Sequence, residues 1–327
     1  MAANTVPDLH WLETIDHHNF EERAIALFHY QYEHNPLYRA YTDAIHINAE
    51  AVRHITDIPF LPISFFKSHT ILTGTQAPEL LFESSGTTGM IPSRHHIVHP
   101  EYYEYAYRSA FAHFYGNVAD YIVIGLLPSY LERKHSSLVY MVNDLVQMSA
   151  HEDSGFYLNE FEQLALVLQK HRDKKIILIG VTFALLDFAE AYPMDLSHVI
   201  VMETGGMKGR KEEWTRMEVH AYLQQQWQLP GVHSEYGMSE LLSQAYAPAN
   251  GLFSCDRSMK VLLRDESDPL ETYSYGSGCL NIIDLANIDS CAFIATEDIA
   301  KIHRDDTFEV LGRRDHAALR GCSLMVI

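Results

Sequence analysis

Apolar residues near the start of the chain recur at helical spacing. From Phe20 to Tyr41, Ile25, Leu27, Phe28 and Tyr32 share one face of an amphipathic helix, which Asn35-Pro36 ends. The stretch IPFLPISFFKS (58–68) carries two prolines and predicts an extended packing segment. Leu80 to Glu83 reads as a short strand, and Glu101 to Tyr115 as a helix whose aromatic face packs inward. The middle of the chain then alternates. Tyr121–Leu127, Lys175–Gly180 and His198–Met202 are apolar runs of strand length. Helical patterns cover Ser136–Met148, Glu160–His171 and the stretch up to Ala191. Buried strands alternating with helices predict an α/β fold with parallel strands. From Met259 onward short strands dominate (KVLLRD, GCLNIIDL, CAFIATED), which predicts a smaller β-rich subdomain.

Composition adds limits. The chain has 327 residues, 47% of them hydrophobic, enough for a large core. A formal net charge of −19 repels phosphate backbones at long range and argues against nucleic acid or an anionic membrane as the main partner. The four cysteines, Cys255, Cys279, Cys291 and Cys322, stand far apart without a CxxC pair, which fits a reducing cytoplasm better than a disulfide framework. The N-terminus is too polar for a secretory signal, and the strongest apolar run (176–186) ends at Asp187, well short of a membrane span. A soluble cytoplasmic protein is expected.

Candidate chemistry begins at SSGTTG, Ser84-Ser85-Gly86-Thr87-Thr88-Gly89. Glycines allow close backbone approach, and hydroxyls add donors suited to phosphate oxygens. Taken alone, a Gly-rich match favours a turn-rich surface loop. The stretch matches neither GxxxxGKS/T nor GxGxxG. Glu203-Thr204-Gly205-Gly206 follows a buried strand, where α/β sheets bind ligands. EYGMSE (235–240) combines a ring for a base with a carboxylate for Mg2+. Asp298 can take ribose hydroxyls, and Gly312-Arg313 with Asp315 follows it.

In this order and spacing the four segments, within residues 58 to 321, resemble the adenylate-forming superfamily of acyl-CoA synthetases, adenylation domains and luciferases. The resemblance implies that Ser84, Ser85, Gly86, Thr87, Thr88 and Gly89 form the phosphate loop for ATP, and that Gly205 and Gly206 lie against adenine. Tyr236, Gly237, Met238, Ser239 and Glu240 match the family's YG-x-T-E, with the ring on adenine, the hydroxyl on phosphate and Glu240 on Mg2+. Asp298 matches the ribose-binding aspartate, although Glu297 stands where that motif usually has glycine; Arg313 and Asp315 match the hinge motif. Residues 1–311 are then the large α/β N-terminal catalytic domain, and 312–327 a hinge with a short C-terminal segment, without the family's C-terminal domain. Together with FLPISFFKS, LLPSYLERKHSSLVYM and ETGGMKGR, these features look like the acyl-protein synthetase family of the bacterial bioluminescence fatty-acid reductase system. That family implies a fatty acid substrate, an acyl reductase as possible partner, and Cys322 as acyl acceptor.

Several residues carry two readings. Arg94 stands near the place of the family's absent lysine and is equally an ordinary surface arginine. Cys322 is an acyl acceptor or a small buried residue. His95, His96 and His99 lack the spacing of a zinc site, although a metal cluster stays open. YYEYAY (102–107) is helix packing, a lipid-pocket wall, or both. Two other functions also stay open: a CoA ligase lacking its own C-terminal domain, and a nucleotide-binding subunit without catalysis.

Overall fold

The runs Tyr121–Leu126, Lys175–Gly180 and Val199–Glu203 lie side by side as parallel strands in the middle of a seven-stranded sheet. All of Tyr121–Leu126 is buried, as is nearly all of the other two, which is why they read as continuous apolar runs. A computed structural model describes residues 7–84, 91–127, 135–158, 160–206 and 214–314. The sheet continues past Val199–Glu203 through His233–Tyr236 (parallel), then Ala245–Ala247 and Ser254–Cys255 (both antiparallel), and Gly155–Phe156 closes its other edge. The registers Leu126↔Gly180, Gly180↔Glu203 and Glu203↔Ser234 bring the carboxyl ends of four parallel strands to one rim. Ligands of open α/β sheets bind at such a rim.

Helices cover this sheet on both faces. Along His233–Tyr236 successive side chains alternate. Ser234 faces His220 of the helix Arg216–Trp227, at 3.3 Å, whereas His233 faces Tyr115 of the helix Pro100–Tyr115, at 3.2 Å. The Pro100–Tyr115 helix buries Tyr102, Tyr103, Ala106, Tyr107, Ala110 and Phe111, the inward aromatic face that the sequence predicts. The helix Arg216–Trp227 is absent from the pattern reading. Its inward stripe, Val219, Leu223 and Trp227, is one residue wide and is flanked by His220 and glutamines.

The β-rich part forms a six-stranded sheet. Its order is Leu61–Pro62, Phe293–Ile302, Gly276–Asp284, Met259–Arg264, Thr272–Tyr273, with Phe308–Arg313 also paired to Phe293–Ile302. The 58–68 segment is extended only as far as Pro62; Phe65–Ser68 is a helical turn that buries Phe66. Asn35-Pro36 does more than stop a helix. Phe20–His34 ends there, and Asn35 caps a second helix, Pro36–Ala44, by accepting from the Tyr38 N–H with Pro36 in the first turn. Buried Gln31 donates to the Asn287 and Ile288 carbonyls and accepts from the Ala292 N–H, tying the first helix to the second sheet. No helix among the described residues is long and apolar enough to cross a membrane.

Candidate active site

A two-stranded hairpin, Leu80–Glu83 with Arg94–Ile97, flanks the Ser/Gly loop. At its loop end the Ser84 N–H donates to the Ser93 carbonyl (3.1 Å), and the Ser93 N–H donates to Ser84 Oγ (2.9 Å). Ser85, Gly86, Thr87, Thr88 and Gly89 lie outside the described residues. Ser93 is buried, and its hydroxyl bonds the carboxyl of Glu240, which is only 6% exposed. Burial raises the Glu240 pKa, while Ser93 and the positive charges of Arg313 and Lys67 pull it the other way. Two segments about 150 residues apart therefore meet at one place. Lys67 is a cation that sequence reasoning passed over; its only signal was a lysine at the end of FLPISFFK.

The turn bearing Glu240 is held by groups to which the sequence assigned no such role. His95 is buried; its Nδ1 meets the Ser239 carbonyl at 2.9 Å and must donate there. Its Nε2 faces Ser290 Oγ (2.9 Å) and Asn287 Oδ1 (3.0 Å), and Asn287 Nδ2 donates to the Glu240 carbonyl at 2.9 Å. Burial pushes the His95 pKa down to about 4, so the ring is neutral near pH 7. Just beyond, Asp284 accepts from the N–H groups of Leu242 and Ser243 and from the Ser243 hydroxyl. The three histidines of the loop's far side thus diverge: His95 turns inward, and His99 pairs with Asp289 at 2.8 Å. Among the described residues no group of three His, Cys, Asp or Glu side chains is arranged to hold a metal. The alternation of RHHI, with His95 and Ile97 inward, was the available signal for His95.

Tyr236, Asp298 and Arg313 form a second cluster. The Tyr236 hydroxyl donates to Asp298 Oδ2 (2.7 Å), and Arg313 Nε donates to Oδ1 (3.3 Å) from the cross-strand position. Gly205 and Gly206 sit at the sheet rim with φ of +76° and +94°, a conformation that favours glycine. Their carbonyls accept from Thr182 and Phe183, the first residues of the helix Thr182–Ala191. At Gly237 a Cβ would lie 2.5 Å from Glu235 Oε1, so any side chain there meets a carboxylate. Met238 packs against the core, and its carbonyl accepts from the Leu241 N–H. Arg94 is exposed and pairs with Glu83 at 3.3 Å. Cys322 and Asp315 lie outside the described residues. Cys279 and Cys291 are buried, and burial pushes the thiols of Cys255 and Cys291 up to about 12, which leaves them poor nucleophiles. A groove of about 380 Å³ between His46–Phe60 and Pro269–Thr272 contains none of the residues expected to hold nucleotide, metal or acyl group.

Glu235, beside this cluster, is perturbed most usefully. Desolvation first, and the charge of Glu203 second, push its pKa from 4.5 up to about 8. The folded state therefore keeps a proton that the unfolded state has lost between about pH 4.5 and 8, and stability falls as pH rises through that window. Above it the deficit is on the order of 4 kcal/mol. Glu235→Gln should raise the thermal midpoint near pH 9 and change it little near pH 5. Melting curves across pH check this; a gain that is the same at both pH values contradicts it.

The fold is that of the large N-terminal domain of adenylate-forming enzymes. MatB from Rhodopseudomonas palustris, solved with ATP bound, matches with TM-score 0.56 at 15% identity over 73% of this chain and 49% of its own. A 2-hydroxyisobutyryl-CoA ligase in the postadenylation state matches with TM-score 0.65 at 11% identity, over 89% of this chain and 66% of its own. A luciferase-like enzyme from the mealworm Zophobas morio matches with TM-score 0.50 at 14% identity, over 75% and 60%. This chain thus spans about half the length of MatB, 49%. No protein-family model and no curated protein sequence matches it.

Proposed function

We propose that this chain activates a carboxylic acid with Mg-ATP as an acyl-adenylate and passes the acyl group to a thiol, Cys322, for a partner reductase. The observation that carries the reading is the meeting of Ser84, Ser93 and Glu240 beside the Tyr236–Asp298–Arg313 cluster, at the rim of a sheet with this fold. A buried carboxyl whose charged form is disfavoured, facing hydroxyls and two cations, suits a Mg2+ ion shared with phosphate oxygens, since magnesium takes one or two carboxylates and keeps other oxygen ligands. The ion's contribution would be to offset charge on the phosphates.

The remaining steps fall to the chain's own residues. Asp298, fixed from both sides, takes the ribose hydroxyls, and the Tyr236 ring lies against adenine. Hydroxyls and N–H groups of Ser84 to Gly89 hold the phosphates, with Lys67 and Arg313 as nearby cations. The acid's oxygen attacks the α-phosphorus, the bond to the bridging oxygen breaks, and pyrophosphate leaves with the electron pair. The Cys322 thiolate then attacks the acyl carbon, AMP leaves, and the thiol proton goes to solvent. Placement in the cytoplasm fits a free thiol in this role.

Isotope exchange of pyrophosphate into ATP, run over a panel of carboxylic acids, tests the first half. Exchange that depends on an acid is expected; none across the panel contradicts the reading and favours a nucleotide-binding subunit. Self-labelling with radioactive acid tests the second half. Cys322→Ser should abolish a label that survives denaturation; equal labelling, or transfer to CoA instead, moves the acceptor elsewhere.

A further inference from the structure

One guanidinium touches the supports of every part expected to meet a nucleoside. Arg216 opens the helix Arg216–Trp227 and is half-buried. A cation in the first turn opposes the helix dipole, so its place answers to its partners rather than to the helix. Its Nε pairs with Glu203 Oε1 at 3.5 Å, and its Nη1 donates to the Val310 carbonyl at 3.2 Å. The guanidinium lies over the Phe253 ring, 5.0 Å from the centroid. Gly251 makes room for the stem: a Cβ there would be 3.1 Å from Arg216 Cδ.

Each partner leads to one of those parts. Glu203 is buried at the end of a parallel strand, and its Oε2 accepts from the Gly205 N–H at 3.0 Å, which holds the turn expected against adenine. Among the described residues Arg216 is its one ion-pair partner, so without Arg216 a buried carboxylate stands uncompensated. Phe253 stacks on Phe308 at 5.4 Å, and both rings meet Tyr236 edge-on at 5.8 Å. The guanidinium therefore backs the ring expected on adenine. Val310 belongs to the strand Phe308–Arg313, whose Arg313 holds Asp298, expected on the ribose. Glu203 lies in the seven-stranded sheet and Val310 in the six-stranded one, so Arg216 fixes the distance between the two sheets on this side. The phosphate side is held separately, by Ser93 on the Glu240 carboxyl, His95 on the Ser239 carbonyl and Asn287 on the Glu240 carbonyl.

We infer that Arg216 is a positioning residue for the nucleoside half of the site: it sets Gly205, Tyr236 and Asp298 at the spacing that adenosine needs and leaves the phosphate half alone. It acts through Glu203, Phe253 and Val310 and touches no substrate itself. The inference rests on the nucleotide reading above and assigns that site a residue outside its motifs. Lysine cannot take over the role. A planar fork meets a carboxylate and a carbonyl while its face covers a ring, whereas an ammonium is a single point charge.

The test measures binding of AMP and of magnesium tripolyphosphate by titration calorimetry, with ATP kinetics in pyrophosphate exchange. The proteins compared are wild type, Arg216→Met, Arg216→Lys and the double variant Arg216→Met with Glu203→Gln. AMP affinity should fall roughly 5- to 30-fold in Arg216→Met, and Arg216→Lys should recover little of it. Tripolyphosphate affinity should stay within about twofold of wild type. In exchange, KM for ATP should rise with kcat little changed. The double variant removes the unpaired buried charge, and its glutamine can still accept from the Gly205 N–H. It should regain thermal stability lost in Arg216→Met while AMP binding stays weak. If AMP binding returns with stability, or both ligands weaken alike, Arg216 is only a structural brace and the inference falls. It falls too if Arg216→Met binds AMP as wild type does. A wild-type chain that binds neither AMP nor ATP sinks the nucleotide reading itself, and the inference with it.

Discussion

Glu240→Gln should lower acid-dependent pyrophosphate exchange by about 100- to 1,000-fold while weakening ATP binding by less than about tenfold. Glutamine keeps the size of the side chain and can still accept from the Ser93 hydroxyl, so the clasp at the foot of the Ser/Gly loop survives. The backbone around it is held independently, by His95 on the Ser239 carbonyl and Asn287 on the Glu240 carbonyl. What is lost is the negative charge. Binding draws on many contacts spread over base, ribose and phosphates, whereas the chemical step depends on charge placed where it develops. Since burial disfavours the Glu240 carboxylate in the folded chain, its loss should leave stability unchanged or slightly raised. Exchange rates with titration calorimetry separate the two effects; equal losses in exchange and binding count against a metal role.

The second large effect is structural. Asp284 is fully buried and accepts from Leu242 N–H (2.7 Å), Ser243 N–H (3.0 Å), Ser243 Oγ (2.6 Å) and Ala286 N–H (3.2 Å). Asp284→Ala leaves these donors in a dry interior and should destabilise the chain by about 3–5 kcal/mol. Asp284→Asn keeps one oxygen for Leu242 and Ser243 and should cost about half as much. Denaturant melts give the comparison. The same change releases the segment that follows Glu240, so exchange should fall as well. A loss below about 1 kcal/mol for alanine would mean that the loop is anchored by something else.

Much of the architecture was legible because its signals are local. Tyr121–Leu126 and Lys175–Gly180 are buried on both faces, and a two-faced strand announces itself as an unbroken apolar run. His233–Tyr236 did not, since His233 and Glu235 alternate with Ser234 and Tyr236. The candidate site was legible only through a resemblance of motifs. The contact of Tyr236 with Asp298 joins residues 62 positions apart, and that of His95 with Ser239 residues 144 apart. Periodicity carries no such information. His95 shows the limit well: among neighbouring histidines, it is the tertiary packing that drives this one into the interior and keeps it neutral. Glu235 is similar. Its carboxyl was quoted as part of a motif, but the burial and the Glu203 charge that push its pKa up to about 8 come from tertiary packing.

A crystal structure of this chain with Mg-ATP tests the central claim most directly. The account predicts adenine beside Tyr236, ribose hydroxyls on Asp298, and the triphosphate with its metal between the Ser84–Ser93 turn and Glu240. Nucleotide bound anywhere else, with Glu240 still bonded only to Ser93, would contradict it.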